Sequence, residues 1–120
     1  MLGRTDSRRR LLFLLVAFGI GSPSPRVSAV TLTPNRVSWQ SAGTTITWTA
    51  TPAGGAAPHQ YKWWIYDGVT WTMATGWTTS NTLAWTPMAA GDYMVGVWVK
   101  SAGNPVDEAE VPVSVSFVIR

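Results

Sequence analysis

Few side chains of this 120-residue chain have the type and spacing to do covalent chemistry. One histidine, His59, ends the loop-like run "PAGGAAPH", and three acids, Asp107, Glu108 and Glu110, crowd the stretch "GNPVDEAEVP". A histidine activates a serine only when a nucleophile and an orienting acid stand beside it. No motif supplies that company, so His59 reads as a surface-loop residue. The three carboxylates are hard oxygen ligands of the kind calcium gathers about six to eight at a time, but a short acidic loop is ordinarily a solvated one. A glycosidase would need two acids held across a sugar cleft, and no such cleft is legible. There is no HExxH, no glycine-rich phosphate loop and no metal-spaced histidine pair. The absence of cysteine removes a disulfide framework, a thiolate metal site and a lipid-modified cysteine together. The expectation is a non-enzyme with no catalytic residue, no metal and no cofactor.

The other chemistry on offer is that of flat rings. Eight tryptophans all follow residue 29, and "YKWWIYDGVTW" alone carries Tyr61, Trp63, Trp64, Tyr66 and Trp71. A period of two along a strand puts Tyr61, Trp63 and Ile65 on one face and Lys62, Trp64 and Tyr66 on the other. Lysine is rarely buried, so the face with Lys62 should be the wet one and Tyr61 and Trp63 should enter the core. On "DYMVGVWVK", Trp98 and Lys100 fall on the outward parity. Trp64 and Trp98, flanked by Lys62 and Lys100, are therefore the candidate exposed binding patch. Three uses are open to it: contact with another domain or protein, stacking on sugar rings, or cover by the chain's own Trp71 to Trp77 segment. The lysines would also allow cation–π contacts that stiffen the face without a ligand.

The elements that must position these residues are strands. Thr, Val and Trp dominate after Ala29, apolar residues alternate, and Gly or Pro recurs at short intervals. In "TTITWTAT", Ile46, Trp48 and Ala50 share one face; Asp67-Gly68 reads as a hairpin turn. "SNTLAWT" places Leu83 and Trp85 inward, and "VPVSVSFVI" does the same for Val111, Val113, Val115, Phe117 and Ile119. With one or two short strands near Val30 to Gln40, this predicts about seven strands in an all-β, antiparallel immunoglobulin-like sandwich, with a small barrel as its rival. The Gly91-Asp92-Tyr93 entry to a strand predicts a tyrosine corner, in which the Tyr93 hydroxyl bonds backbone a few residues upstream.

From Tyr61 to Ile119 the chain resembles the triple-tyrosine (Y_Y_Y) module of bacterial sensor regulators and secreted proteins. The matching residues are Tyr61, Trp63, Ile65, Trp71, Gly91 and Tyr93, followed by "VSVSFVI"; Trp63 stands where that family has its second tyrosine. The resemblance implies that these six form a structural core motif. "WWIYDG" is also similar to the "WDFGDG" turn of PKD-type immunoglobulin-like domains. Either resemblance implies a non-catalytic accessory or adhesion-type module, with a protein or a cell-surface polymer as its partner.

The amino terminus sets the compartment. Arg4 and Arg8 to Arg10 precede the apolar run "LLFLLVAFGI" and the small-residue stretch "GSPSPRVSA", the layout of an export signal. The apolar run is shorter than the roughly 20 residues a membrane span needs, so no stable span is expected once the signal is gone. Val27-Ser28-Ala29 predicts cleavage after Ala29, giving a signal peptide at residues 1–29 and one sandwich domain at 30–120. A twin-arginine route through "SRRRLL" and a retained anchor are the alternatives. Five of nine basic residues and one of six acids lie in that signal, leaving a net charge of −1. The high pI of 9.8 thus belongs to the signal and argues against a nucleic-acid partner. The expected location is periplasmic, cell-surface or secreted.

Overall fold

The computed structural model describes residues 25–120; the apolar run and Arg4 and Arg8 to Arg10 of the expected signal lie outside the described residues. Seven strands follow in order: β1 (Val27–Pro34), β2 (Ile46–Gly54), β3 (Gln60–Tyr66), β4 (Trp71–Met73), β5 (Thr82–Trp85), β6 (Gly91–Lys100) and β7 (Val111–Ile119). Every paired neighbour is antiparallel. They form a three-stranded sheet, β1-β2-β5, and a four-stranded sheet, β4-β3-β6-β7. This is the immunoglobulin-like sandwich, with the fourth strand paired to the third rather than to the fifth.

The two inner faces close on one core. Ile46, Trp48 and Ala50 from β2 meet Tyr61 and Trp63 from β3, Val95, Val97 and Val99 from β6, and Phe117 and Ile119 from β7. Phe117 lies edge-on to both Trp48 and Trp85, at ring-centroid distances of 5.7 and 6.0 Å. Only Trp48 and Trp63 among the tryptophans are fully buried, and each contributes roughly 4–6 kcal/mol of gross transfer free energy at about 25 cal/mol per Å². The tyrosine corner forms as the sequence predicts: the Tyr93 hydroxyl donates to the Ala89 carbonyl at 2.7 Å. Gly91 starts β6 opposite Ile119, and the edge of the Tyr93 ring lies against it.

The hairpin between β3 and β4 is wider than two residues. Asp67 Oδ1 accepts the N–H groups of both Val69 and Thr70 at 2.9 Å, and Gly68 takes a positive φ of 99°, a conformation glycine adopts at no steric cost. The resulting register pairs Tyr66 with Trp71. This corrects the place of Trp71: it lies opposite an outward residue, shares its face, and is exposed rather than in the core. Ile65, by contrast, packs against the core.

The boundary of the domain also moves. β1 begins at Val27, and Val27 is a core residue at 5% exposure, so the folded unit starts before the expected break between Ala29 and Val30. Along the far edge of the large sheet, Gln40 forms a parallel bridge to Ile119, and the Val118 N–H donates to Ser38 Oγ at 2.9 Å.

Candidate functional site

The outward parity of the large sheet collects an aromatic layer. Register places Met73, Trp64, Gly96 and Ser114 in one cross-strand row. Trp71, Tyr66, Met94 and Ser116 form the next row, and Lys62, Trp98 and Pro112 the row on the other side. Trp64 and Trp98 are diagonal neighbours, their centroids 4.9 Å apart and their planes tilted by 47°. Trp71 leans on Tyr66 at 5.2 Å and reaches over Gly96. A Cβ on Gly96 would stand 3.2 Å from the Trp71 ring, so a larger residue would push the ring outward by a few tenths of an ångström.

After β4 the chain stays beside β3. Ala74 N–H donates to the Trp63 carbonyl at 2.8 Å, and Tyr61 and Thr78 exchange two backbone hydrogen bonds at 2.7 and 2.8 Å. This carries Trp77 back across the sheet, where its ring lies 6.4 Å from Trp98 and 4.0 Å from Lys100 Nζ. Lys62 Nζ sits 5.4, 5.8 and 5.6 Å from the rings of Trp64, Trp77 and Trp98. A cation this close to a ring face is attracted by the ring quadrupole, by about 0.5–2 kcal/mol depending on desolvation.

The 101–110 loop closes this cover. Asp107 Oδ1 accepts from Lys62 Nζ at 2.9 Å and from Trp77 Nε1 at 2.8 Å, and Lys100 Nζ donates to the Val106 carbonyl at 2.6 Å. The Lys62 hydrogen bond, then that of Trp77, holds the Asp107 carboxyl below its ordinary range. The expectation that Lys62 and Lys100 are exposed is therefore corrected: they are 8% and 3% exposed. Three indoles surround the Lys62 ammonium and one, Trp77, covers that of Lys100, and their charges are met by a carboxylate and a carbonyl. Trp64 and Trp98 are half-buried rather than open, and cover by the Trp71 to Trp77 segment is what encloses them. The Trp64 indole N–H is itself sealed from water with no hydrogen-bond partner, a loss of about 1–3 kcal/mol.

What remains open is a groove of about 470 Å³ lined by Trp64, Trp71, Gly96, Trp98, Pro112, Val113 and Ser114. Its lining has no titratable side chain; its polar side-chain groups are the Ser114 hydroxyl and the indole N–H groups of the tryptophans. Such a slot can grip a flat or extended apolar group, and it offers no acid, base or metal ligand. Trp71, Trp77, Pro112 and Ser114 are site residues that the parity argument on β3 and β6 did not select. Counting back through the Asp67-Gly68 turn finds Trp71, because a hairpin sets it opposite Tyr66.

The other chemically capable residues lie elsewhere. His59 Nε2 is 2.8 Å from the Gly54 carbonyl in its loop. The acids diverge: Asp107 turns to the aromatic layer, while Glu110 turns to the start of β1, where it accepts the Val27 N–H at 2.8 Å and the Asn104 side-chain amide at 2.7 Å. Among the described residues no group of three or more His, Cys, Asp or Glu is arranged to hold a metal ion. No protein-family model and no curated protein matches the chain.

Proposed function

We propose that the chain is a non-catalytic, exported immunoglobulin-like module that uses the aromatic groove to hold an apolar segment of another protein or domain. The observation that carries this reading is the groove itself: three tryptophans and a proline around a glycine floor. Trp71 is still 43% exposed, and Val69 and Met73 stand open on the same hairpin at 86% and 51%. Exposed apolar surface gathered in one place marks contact sites more often than chance, and tryptophan and methionine are enriched at such interfaces. The inward set Tyr61, Trp63 and Ile65 with the Tyr93 corner supports membership of a triple-tyrosine or PKD-like class.

A second reading has one observation in its favour. The open ring of Trp71 beside the Ser114 hydroxyl is a planar platform with a polar neighbour, which a sugar ring can stack on. Tryptophan fluorescence against a panel of extended apolar peptides and a panel of soluble glycans separates the two. Peptides should shift the emission and glycans should not, and Trp71→Ala should weaken the peptide response roughly tenfold or more. Glycan binding with a flat peptide response transfers the groove to carbohydrate; silence in both panels removes it as a binding site.

A further inference from the structure

The start of β1 is built into the domain from several sides. Val27 is buried in the core, and its N–H is held by Glu110. The Ser101 hydroxyl lies 3.0 Å from the Pro25 carbonyl and 3.1 Å from Glu110 Oε1, so it ties the strand and its receptor together. Ser28 Oγ donates to the Ala53 carbonyl at 3.1 Å. Opposite this stretch stand two glycines with positive φ, Gly54 and Gly55. A Cβ on Gly54 would meet the Arg26 carbonyl at 3.0 Å, and one on Gly55 would meet Ser101 Oγ at 2.7 Å and a Val27 methyl at 3.0 Å. The missing side chains make the channel in which residues 26–28 lie.

A cut after Ala29 would withdraw Val27 from the core and leave Glu110 and Ser101 facing an empty channel. We infer that residues 25–29 belong to the working domain, that Glu110 is the receptor for this first strand, and that export processing takes place upstream of Pro25. The chemistry of a signal-peptide cut asks for small residues at the positions three and one before the broken bond. Gly19 and Gly21 stand so for the Gly21–Ser22 bond, directly after the apolar run. The processing half of this inference rests on the export reading; the strand half does not.

The test begins with the full-length precursor produced in a bacterial host, and the intact mass of the chain recovered outside the cytoplasm. The expected product begins at Ser22, and any start between Ile20 and Pro25 upholds the inference. An exported chain that starts after Pro25, or that still carries residues 1–19, overturns it. A precursor that stays inside uncut counts against export alone, and the strand is then decided by stability. The chain of residues 22–120 should melt about 10 °C or more above that of residues 30–120, or the shorter chain should fail to fold; equal melting temperatures overturn the inference. Glu110→Ala should lower the melting temperature of the longer chain and do much less in the shorter one, because its partner there is already gone. An equal drop in both chains would assign Glu110 to its own loop instead of to the strand.

Discussion

The two faces of the β4-β3-β6-β7 sheet are made from the same kinds of residue and behave differently. The inner face sets Tyr61 and Trp63 against valines, Phe117 and the opposing sheet, and it is sealed. The outer face sets Trp64, Trp98, Trp77 and Trp71 against two lysines and a loop, and it keeps a groove. The inner face is closed by a second sheet with its own hydrogen-bonded ladder, whereas the outer one is closed by the 74–78 segment, the 101–110 loop and the side chains they carry. The outer rings leave a groove open to solvent. Rings wedged between two sheets leave none.

Four substitutions and one titration series probe that contrast. Trp63→Ala should destabilise by about 3–5 kcal/mol, read by urea denaturation. Trp64→Ala, one residue along, should cost about 1–2 kcal/mol, since its ring is only half-buried and its removal frees an unpartnered indole N–H. Equal losses would erase the distinction between the faces.

Titration should attack the faces from opposite ends. Burial of the Glu110 carboxyl opposes ionisation, but hydrogen bonds from Val27, Asn104 and Ser101 outweigh it and bring its pKa from 4.5 to about 2. Its contribution is thus complete above pH 4.5 and disappears as the pH falls towards about 2. Asp107 is shifted in the same direction, so acid should loosen the 101–110 loop and the outer layer with it. Burial pushes the Tyr61 hydroxyl above 10.0, so stability drawn from the inner face is present below that pH and is lost on further alkalinisation. Fluorescence of the outer tryptophans followed from pH 7 to 2 should change before global unfolding; a single joint transition would break the comparison.

Lys62→Met should alter stability by about 1 kcal/mol or less, because the Asp107 carboxylate left behind is 70% exposed and stays hydrated; thermal melting checks this. Gly96→Ala should be milder still in stability, at about 0.5 kcal/mol, since Trp71 sits on an exposed hairpin and can swing aside. It should nevertheless change the Trp71 emission and block the groove to any ligand found by the panels.

The inner face was readable from alternation alone. Ile46, Trp48, Tyr61, Trp63 and Phe117 each went inward as the period of two required, and the Gly91-Asp92-Tyr93 entry found its corner. The outer face was less legible for two reasons. Lysine argues for solvent by its head group, but the stems of Lys62 and Lys100 follow apolar surface, and Asp107, distant in sequence, supplies the counter-charge. The family resemblance puts Trp71 in the core, although a two-residue or a four-residue turn alike sets it opposite an outward residue, Trp64 or Tyr66. The start of β1 was hidden by a conflict: Val27-Ser28-Ala29 satisfies a cleavage pattern and a strand pattern at once, and only contacts distant in sequence, with Glu110, Ser101 and the Gly54-Gly55 channel, separate them.

The far border of the large sheet carries one more consequence. In β7 the backbone N–H groups that point away from β6 belong to the even-numbered residues, as the Val118 bond to Ser38 shows. Pro112 has no N–H to present, and the Ser38 to Gln40 segment occupies the other end, leaving Ser114 and Ser116 as a short gap between two stops. A free border nine residues long would invite a neighbouring molecule to zip onto it and seed aggregates. Interrupted in this way, β7 leaves a neighbouring chain only the Ser114 and Ser116 N–H groups to pair with along this border.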